Sequence, residues 1–339
     1  MDRQKKFLAI GGATALILAG VWVTASSVAT RRAEDKLYGL LDQYKLRDAV
    51  HWQDLSASPL GSATLKDVTI RFGSAKNPEQ IAIERVTLSD LEDSADRKTA
   101  RVEISGIAGA GGFSPLAQVG VIQAAGRTDL PPFSLALAWD LDGRADTGSL
   151  QLSLDQPEAF KGDFNVNMSR LRELLRFTDR LADSKAEEIP KMLGGFGFFG
   201  PWGVLMAIGQ KVQQVEVGSI TASVKNDGYV TRSRALALRH DVDVAPGQGS
   251  AEKQRKKWLE DKIDAGKEQC KRDPEGAFDG APLRREDCLA LLDFVTGGSS
   301  KLSMTMEPAR PVSLEQLFDG GGRRDSYRPL RLLEMKLSN

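Results

Sequence analysis

Residues 134–168 read SLALAWDLDGRADTGSLQLSLDQPEAFKGDFNVNM, and this stretch decides the fold class. Apolar and polar residues alternate in three successive runs, and turn residues such as Asp142 and Gly143 separate the first run from the second. Alternation with a period of two places apolar side chains on one face of a strand and polar side chains on the other. The stretch therefore predicts an antiparallel meander of three strands with one apolar face and one wet face.

Similar patterns flank this meander on both sides. Shorter alternating runs occur at residues 68–72, 81–88, 100–104, 215–224 and 302–306. Helical spacing of apolar residues predicts helices at 169–182, 251–272 and 282–295. The sum is an α+β fold, in which helices are available to cover a large amphipathic antiparallel sheet. If they cover all of its apolar face, that face is an ordinary core; if they do not, it is a groove for a lipid or a protein partner.

The apolar positions of the three central strands form the candidate face for a lipid or a partner. They are Leu135, Leu137, Trp139, Leu150, Leu152, Phe164 and Val166.

A charge-free segment of 23 residues begins at Phe7 and ends at Ala29. As a helix it would be about 34 Å long, which is enough to cross a hydrocarbon core of about 30 Å. It predicts a transmembrane signal anchor between a cytoplasmic tail (1–6) and a helical stalk (30–48), with an exported domain at 49–339. The length of the segment favours an uncleaved anchor, although small residues near its end keep cleavage of a signal peptide open.

The chain has two cysteines, Cys270 and Cys288, and both lie in a predicted helical hairpin at 251–296. Folding the hairpin back would bring them together, and a disulfide there would contribute about 3 kcal/mol in the loop-entropy model. Two buried free thiols are the alternative. A disulfide would indicate an oxidising compartment, and hence a domain outside the cytoplasm.

A second charge-free segment, residues 192–209, is rich in glycine and contains a proline, which argues against another membrane span. It could form a lid over the apolar sheet face, contact the membrane surface, or bind a partner. Its G-x-G-x-x-G pattern lacks the strand that a dinucleotide site needs before it. The aromatic residues of this lid or membrane segment are Phe196, Phe198, Phe199 and Trp202.

Composition and motifs exclude several classes of function. The 46 basic and 46 acidic residues cancel, so no nucleic-acid partner is expected. The sequence contains no P-loop, no C-x-x-C, no G-x-S-x-G and no zinc-protease motif. The only histidines, His51 and His240, have no metal-ligand partner at helical spacing. We therefore expect no cofactor, no metal and no enzymatic activity, although a hydrolase site assembled from distant residues stays open.

Four parts of the chain carry a family resemblance. They are the anchor with its stalk, the strand–turn–strand opening at 50–70, the strand at 147–154, and residues 306–314. Together they resemble single-pass bacterial envelope proteins of the AsmA-like and YdgA-like kind. The resemblance implies an inner-membrane protein whose exported, periplasmic sheet serves lipid traffic or envelope maintenance, and it carries over no catalytic residue.

We therefore expect a non-enzymatic factor that binds a lipid or an apolar envelope protein on its sheet face. The alternative is a structural or scaffold subunit of a membrane protein complex.

Overall fold

The computed structural model describes residues 38, 41–42, 47–58, 62–74, 77–94, 96–118, 127–183, 211–247, 249–278, 281–318 and 328–339. The predicted anchor (7–29) and the segment 192–209 lie outside these residues. Within the described part of the chain, no helix has the length and apolar character that a membrane crossing requires.

Twelve strands of the described residues form one sheet, in which every pair of neighbours is antiparallel. They are β1 (Val50–His51), β2 (Asp54–Ala57), β3 (Ala63–Ser74), β4 (Asn77–Asp93), β5 (Arg97–Ile107), β6 (Phe133–Asp142), β7 (Thr147–Gln156), β8 (Phe160–Ser169), β9 (Glu216–Asn226), β10 (Lys301–Met306), β11 (Val312–Ser313) and β12 (Met335–Ser338).

The strand order is β1-β3-β4-β5-β6-β7-β8-β9-β10-β12, with β2 also paired to β3 and β11 to β9. Neighbours in the sheet are mostly neighbours in sequence, as expected of a meander. The α+β class and the large antiparallel sheet are confirmed, and the three strands of the predicted meander are β6, β7 and β8.

The helices with defined bounds follow β8 in the chain. They are α1 (Arg172–Asp183), α2 (Tyr229–His240), α3 (Ala251–Arg272), α4 (Arg285–Thr296), α5 (Leu314–Phe318) and α6 (Arg328–Leu332). The predicted hairpin is the pair α3–α4, and α3 has the predicted bounds.

Helix α1 begins three residues later than its periodicity predicts. Arg170 has a φ of 59°, outside the range of a right-handed helix. The Asp146 carboxylate then accepts a hydrogen bond of 2.7 Å from the Arg172 N–H, which caps the new start.

The largest buried cluster lies on β3, β4 and β5. The alternation of β4 slips by one residue between Ile83 and Val86, and β3 slips at the same place between Leu65 and Val68. All four residues are buried, and the pairing register stays the same across the slip. Leu41, from the predicted stalk, is buried in this cluster. This part of the stalk therefore packs against the first strands of the sheet.

Candidate functional site: the apolar face of the sheet

The strand registers place the apolar residues of β5–β10 in three continuous rows, because directly paired residues project on the same side of a sheet. Row 1 is Ile104, Leu135, Leu154, Gly162, Val224 and Leu302; row 2 is Val102, Leu137, Leu152, Phe164, Ala222 and Met304; row 3 is Ala100, Trp139, Leu150, Val166, Ile220 and Met306. The seven residues predicted for the face all belong to these rows. Their position on one shared face is therefore a property of the fold.

Burial changes along each row. On β5, Val102 and Ile104 are only 1% and 3% exposed. Their neighbours on β6 and β7 are half-buried in all three rows, and so is Phe164 on β8. In row 1 the exposure reaches 37% at Val224. The apolar face is therefore closed over β5 and partly open to solvent over β6–β9.

Helices α5 and α6 border the face on the side of row 3. Leu317 of α5 and Leu333, just after α6, are buried in a cluster with Val166 and Met306. Val166 is accordingly the one residue of the predicted face that is buried. The open part of the face thus lies in rows 1 and 2 and the β6–β7 part of row 3.

Helix α1 borders the face where β6 turns into β7. Leu171, just before the helix, lies against Gly148, where a Cβ atom would come within 2.5 Å of the Leu171 Cδ1. Lys98 of β5 then joins the helix to the sheet, since its ammonium is 2.7 Å from Asp179 of α1 and 2.6 Å from Asp93. This side of the face is therefore covered by the chain itself.

A small buried cluster closes the opposite end, beyond row 1. It contains Leu130 and Ala159, with Phe160 packed against it. Gln156 is fully buried beside it, where its carboxamide accepts a hydrogen bond from Ser114 and donates one of 2.9 Å to the Pro131 carbonyl. Because these buried polar groups have hydrogen-bond partners within the protein, the cluster forms a stable boundary at this end of the face.

Row 1 lacks a side chain at Gly162, between Leu154 and Val224. Among the described residues, a Cβ atom placed there would meet only one atom within 4 Å, the Ser223 carbonyl oxygen at 3.8 Å. Gly148, on the same face, differs: it leaves room for the Leu171 side chain, which packs directly against it. Gly162 leaves a notch in the open part of the face that no residue of the described ranges fills.

The other face of the same strands is polar, as the alternation predicts. Ser153 donates a hydrogen bond of 2.8 Å to Asp163, and Asn167 donates one of 2.8 Å to Ser219. These contacts run between neighbouring strands on a surface that bears hydroxyl, amide and carboxylate groups. The two faces of the central strands thus differ sharply in polarity.

Of row 1, sequence reasoning assigned only Leu135 to the face and missed the other five members: Ile104, Leu154, Gly162, Val224 and Leu302. Leu154 and Val224 carried the signal, because both continue an alternating run in the apolar phase. Gly162 also stands in that phase, between Phe160 and Phe164, but a glycine gives no apolar signal of its own. Its importance follows only from the empty space above it.

The two cysteines form a disulfide between the end of α3 and α4, with their Cα atoms 5.5 Å apart. Both are buried. This is the pairing expected from the hairpin, and it holds the two helices together beside β12.

Asp287, next to Cys288, connects α4 to the last strand. It is 1% exposed and accepts hydrogen bonds from the Leu337 N–H at 2.6 Å, from Arg284 Nε at 2.8 Å and from the Arg284 N–H at 3.1 Å. Burial raises the pKa of Asp287, but the hydrogen bonds from Arg284 and Leu337 outweigh this effect, and the pKa lies below its ordinary value. Leu337 pairs with Met304 and extends row 2 to the end of the sheet.

The remaining predictions concern metal ligands, the histidines and the aromatic segment at 192–209. The described residues contain no group of three His, Cys, Asp or Glu side chains that could hold a metal ion. His51 Nε2 lies 3.1 Å from the Asp48 carbonyl oxygen in an exposed position. Phe196, Phe198, Phe199 and Trp202 lie outside the described residues.

No protein-family model matches this chain, and a comparison with curated proteins finds no match either. The function is therefore argued from the geometry of the apolar face.

Proposed function

We propose that this protein is a non-enzymatic factor of the bacterial envelope that binds lipid on the apolar face of its sheet. The observation that supports the proposal is the partial exposure of rows 1 and 2 over β6–β9, beside neighbours on β5 that are fully buried. A continuous apolar surface in contact with water is characteristic of interaction sites rather than of the free surface of a monomer. Its ligand would be apolar.

The energetics favour an occupant. Complete burial of a leucine or phenylalanine side chain contributes about 1.5–3 kcal/mol relative to exposure. The side chains of β6 and β7 are only half-buried, so each is still in contact with water. Covering them would therefore add a further part of this free energy. An apolar ligand that covers several of them at once gains affinity from each.

Lipid is favoured over other apolar ligands by the proposed location. The segment that begins at Phe7 has the length of a membrane anchor. Residues 30–49, between this segment and β1, would span about 70 Å even if fully extended, so the sheet would stay near the bilayer. The disulfide between Cys270 and Cys288 supports an oxidising compartment, and with it a periplasmic sheet domain in a single-pass inner-membrane protein.

The test is mass spectrometry of the full-length protein after purification in a mild detergent. We expect a stoichiometric lipid with the wild type. Leu152→Glu places a charge in the middle of row 2 and should remove the lipid. The matched control, Gln151→Glu, places the same charge on the exposed polar face one residue away and should retain it.

Two outcomes would contradict the proposal. One is a wild-type protein that carries no lipid although circular dichroism shows it folded. The other is a Leu152→Glu variant that is folded and retains as much lipid as Gln151→Glu. A protein partner that co-purifies without lipid would favour the scaffold function instead, with the apolar face as its binding surface.

A further inference from the structure

Resting on the proposed function, we propose that the ligand is one extended acyl chain of a membrane lipid, which lies across the strands along row 1 and occupies the notch at Gly162. The chain would run perpendicular to the strands, from Leu135 on β6 to Leu302 on β10.

The notch is the first observation behind this inference. No described residue fills the space above Gly162, while the space at Gly148 on the same face is occupied by Leu171. Phe160 and Phe164 stand two residues away on either side of Gly162 and point to the same face, each about 7 Å along the strand. Apolar groups make contact at about 4 Å, so a hydrocarbon chain laid over Gly162 fits between the two side chains, which stand about 14 Å apart along the strand.

The length of the row is the second observation. From Leu135 to Leu302 the row crosses four strand-to-strand spacings. At about 4.8 Å per spacing this is roughly 19 Å. One leaflet contributes about half of a 30 Å hydrocarbon core, so an extended lipid chain has a length of this order.

The chemistry of the row is the third observation. Leu135, Leu154, Gly162, Val224 and Leu302 offer an occupant no side-chain hydrogen-bond donor or acceptor. A buried polar group without a partner is costly, so the part of the ligand that lies in the row is hydrocarbon throughout. The polar headgroup of the lipid would remain outside the row, in water.

The experiment uses the full-length protein in lipid nanodiscs of phosphatidylethanolamine and phosphatidylglycerol. A phospholipid with a photoreactive diazirine near the end of one acyl chain is the probe, and cross-linked peptides are mapped by mass spectrometry. In the wild type we expect labelled peptides from β7 and β9, around Leu154 and Val224. The residues of the predicted anchor should be labelled in every variant and serve as the internal standard.

Gly162→Leu is the decisive variant. The backbone at Gly162 is not in the left-handed region and no described residue occupies the space above it, so a leucine fits without strain and fills the notch. Each methylene of the ligand that is displaced from the face costs about a 4-fold loss of affinity. Displacing two or more should reduce labelling of β7 and β9 at least about 10-fold. Gly218→Leu is the matched control, since its space is also open but it belongs to none of the three rows; labelling should be unchanged.

The outcomes separate this inference from the proposed function. Equal labelling of the Gly162→Leu variant and the wild type would overturn the inference. A photoreactive sterol that labels the same peptides as strongly would overturn it too, because the row would then not select one extended acyl chain. Lipid lost from Leu152→Glu would in either case leave the proposed function standing. Anchor labelling with no labelled strand in the wild type, and no co-purified lipid, would refute both.

Discussion

Replacing Asp287 by alanine should detach the last strand of the sheet from helix α4. The buried carboxylate accepts four hydrogen bonds from three donor groups: the Leu337 N–H of β12, the Arg284 N–H at the start of α4, and the Arg284 guanidinium, which donates two. The first two donors belong to the backbone and have no equivalent partner in the variant. The third belongs to a side chain that is half-exposed and can return to water.

The magnitude follows from these partners. A hydrogen bond to a charged group contributes about 1.5–3 kcal/mol, which we assign to the Leu337 N–H. Loss of the cap at the start of α4 costs about 1 kcal/mol. The exposed guanidinium adds little. We therefore expect Asp287→Ala to lower the free energy of unfolding by about 3 kcal/mol, and Asp287→Asn by about half as much, because the amide oxygen can still accept one bond.

The effect depends on pH in a definite direction. The pKa of Asp287 is depressed in the folded protein, so the stability that it contributes is fully present above its unfolded pKa of about 3.9. This contribution is lost as the pH falls through the lower, folded-state pKa. The difference in stability between the wild type and Asp287→Asn should thus be constant near neutral pH and shrink below about pH 4.

Urea unfolding followed by tryptophan fluorescence measures the free energy, and amide exchange at Leu337 reports on the strand itself. Asp261→Ala, an exposed carboxylate on α3, is the control and should change stability by less than about 0.5 kcal/mol. If Asp287→Ala unfolds at the wild-type urea midpoint and the Leu337 amide keeps its exchange rate, the Asp287 carboxylate does not hold the strand. A stability difference that grows towards acid pH would refute the electrostatic reasoning.

Three other changes test the rest of the fold. Replacing Cys270 and Cys288 together by serine should cost about 3 kcal/mol in the loop-entropy model, and thermal melting of the reduced wild type should match the variant. Lys98→Met removes two ion pairs whose lysine is only 16% exposed and should cost about 1–2 kcal/mol; a double-mutant cycle with Asp179→Asn should show coupling, and additive effects would contradict it. Gln156→Leu leaves buried polar groups unpaired and should cost about 2–4 kcal/mol by urea unfolding, while a loss below about 0.5 kcal/mol would mean that water replaces the carboxamide.

The alternation of the central strands predicted much of the candidate site. All seven predicted face residues share one side of the sheet because side-chain direction alternates along every strand and the registers of β6, β7 and β8 pair apolar positions with apolar positions. The pairing of Cys270 with Cys288 was foreseeable for a similar reason. Both lie close in sequence within one hairpin, so a local turn brings them together.

Other features escaped the sequence for physical reasons. Helix α2 has arginines and small residues where a clear apolar stripe would reveal it, and it follows a glycine with a φ of 96° rather than a side-chain cap. The later start of α1 depends on a bond between Arg172 and Asp146, which are 26 residues apart. The notch at Gly162 exists because no described side chain packs above that glycine, and the sequence pattern does not show which side chains will pack there.

By itself, the sequence determined the α+β class, the two unlike faces of the sheet and the disulfide-linked hairpin, because these depend on period and on short-range folding. The tertiary structure alone decided that β5 is closed and β6–β9 are open, that Leu171 fills one glycine position while no described residue fills another, and that Asp287 holds the last strand. The reason is that burial and buried hydrogen bonds depend on neighbours from distant parts of the chain. Leu337 and Asp287 are 50 residues apart, and no local sequence pattern predicts that they will form a hydrogen bond.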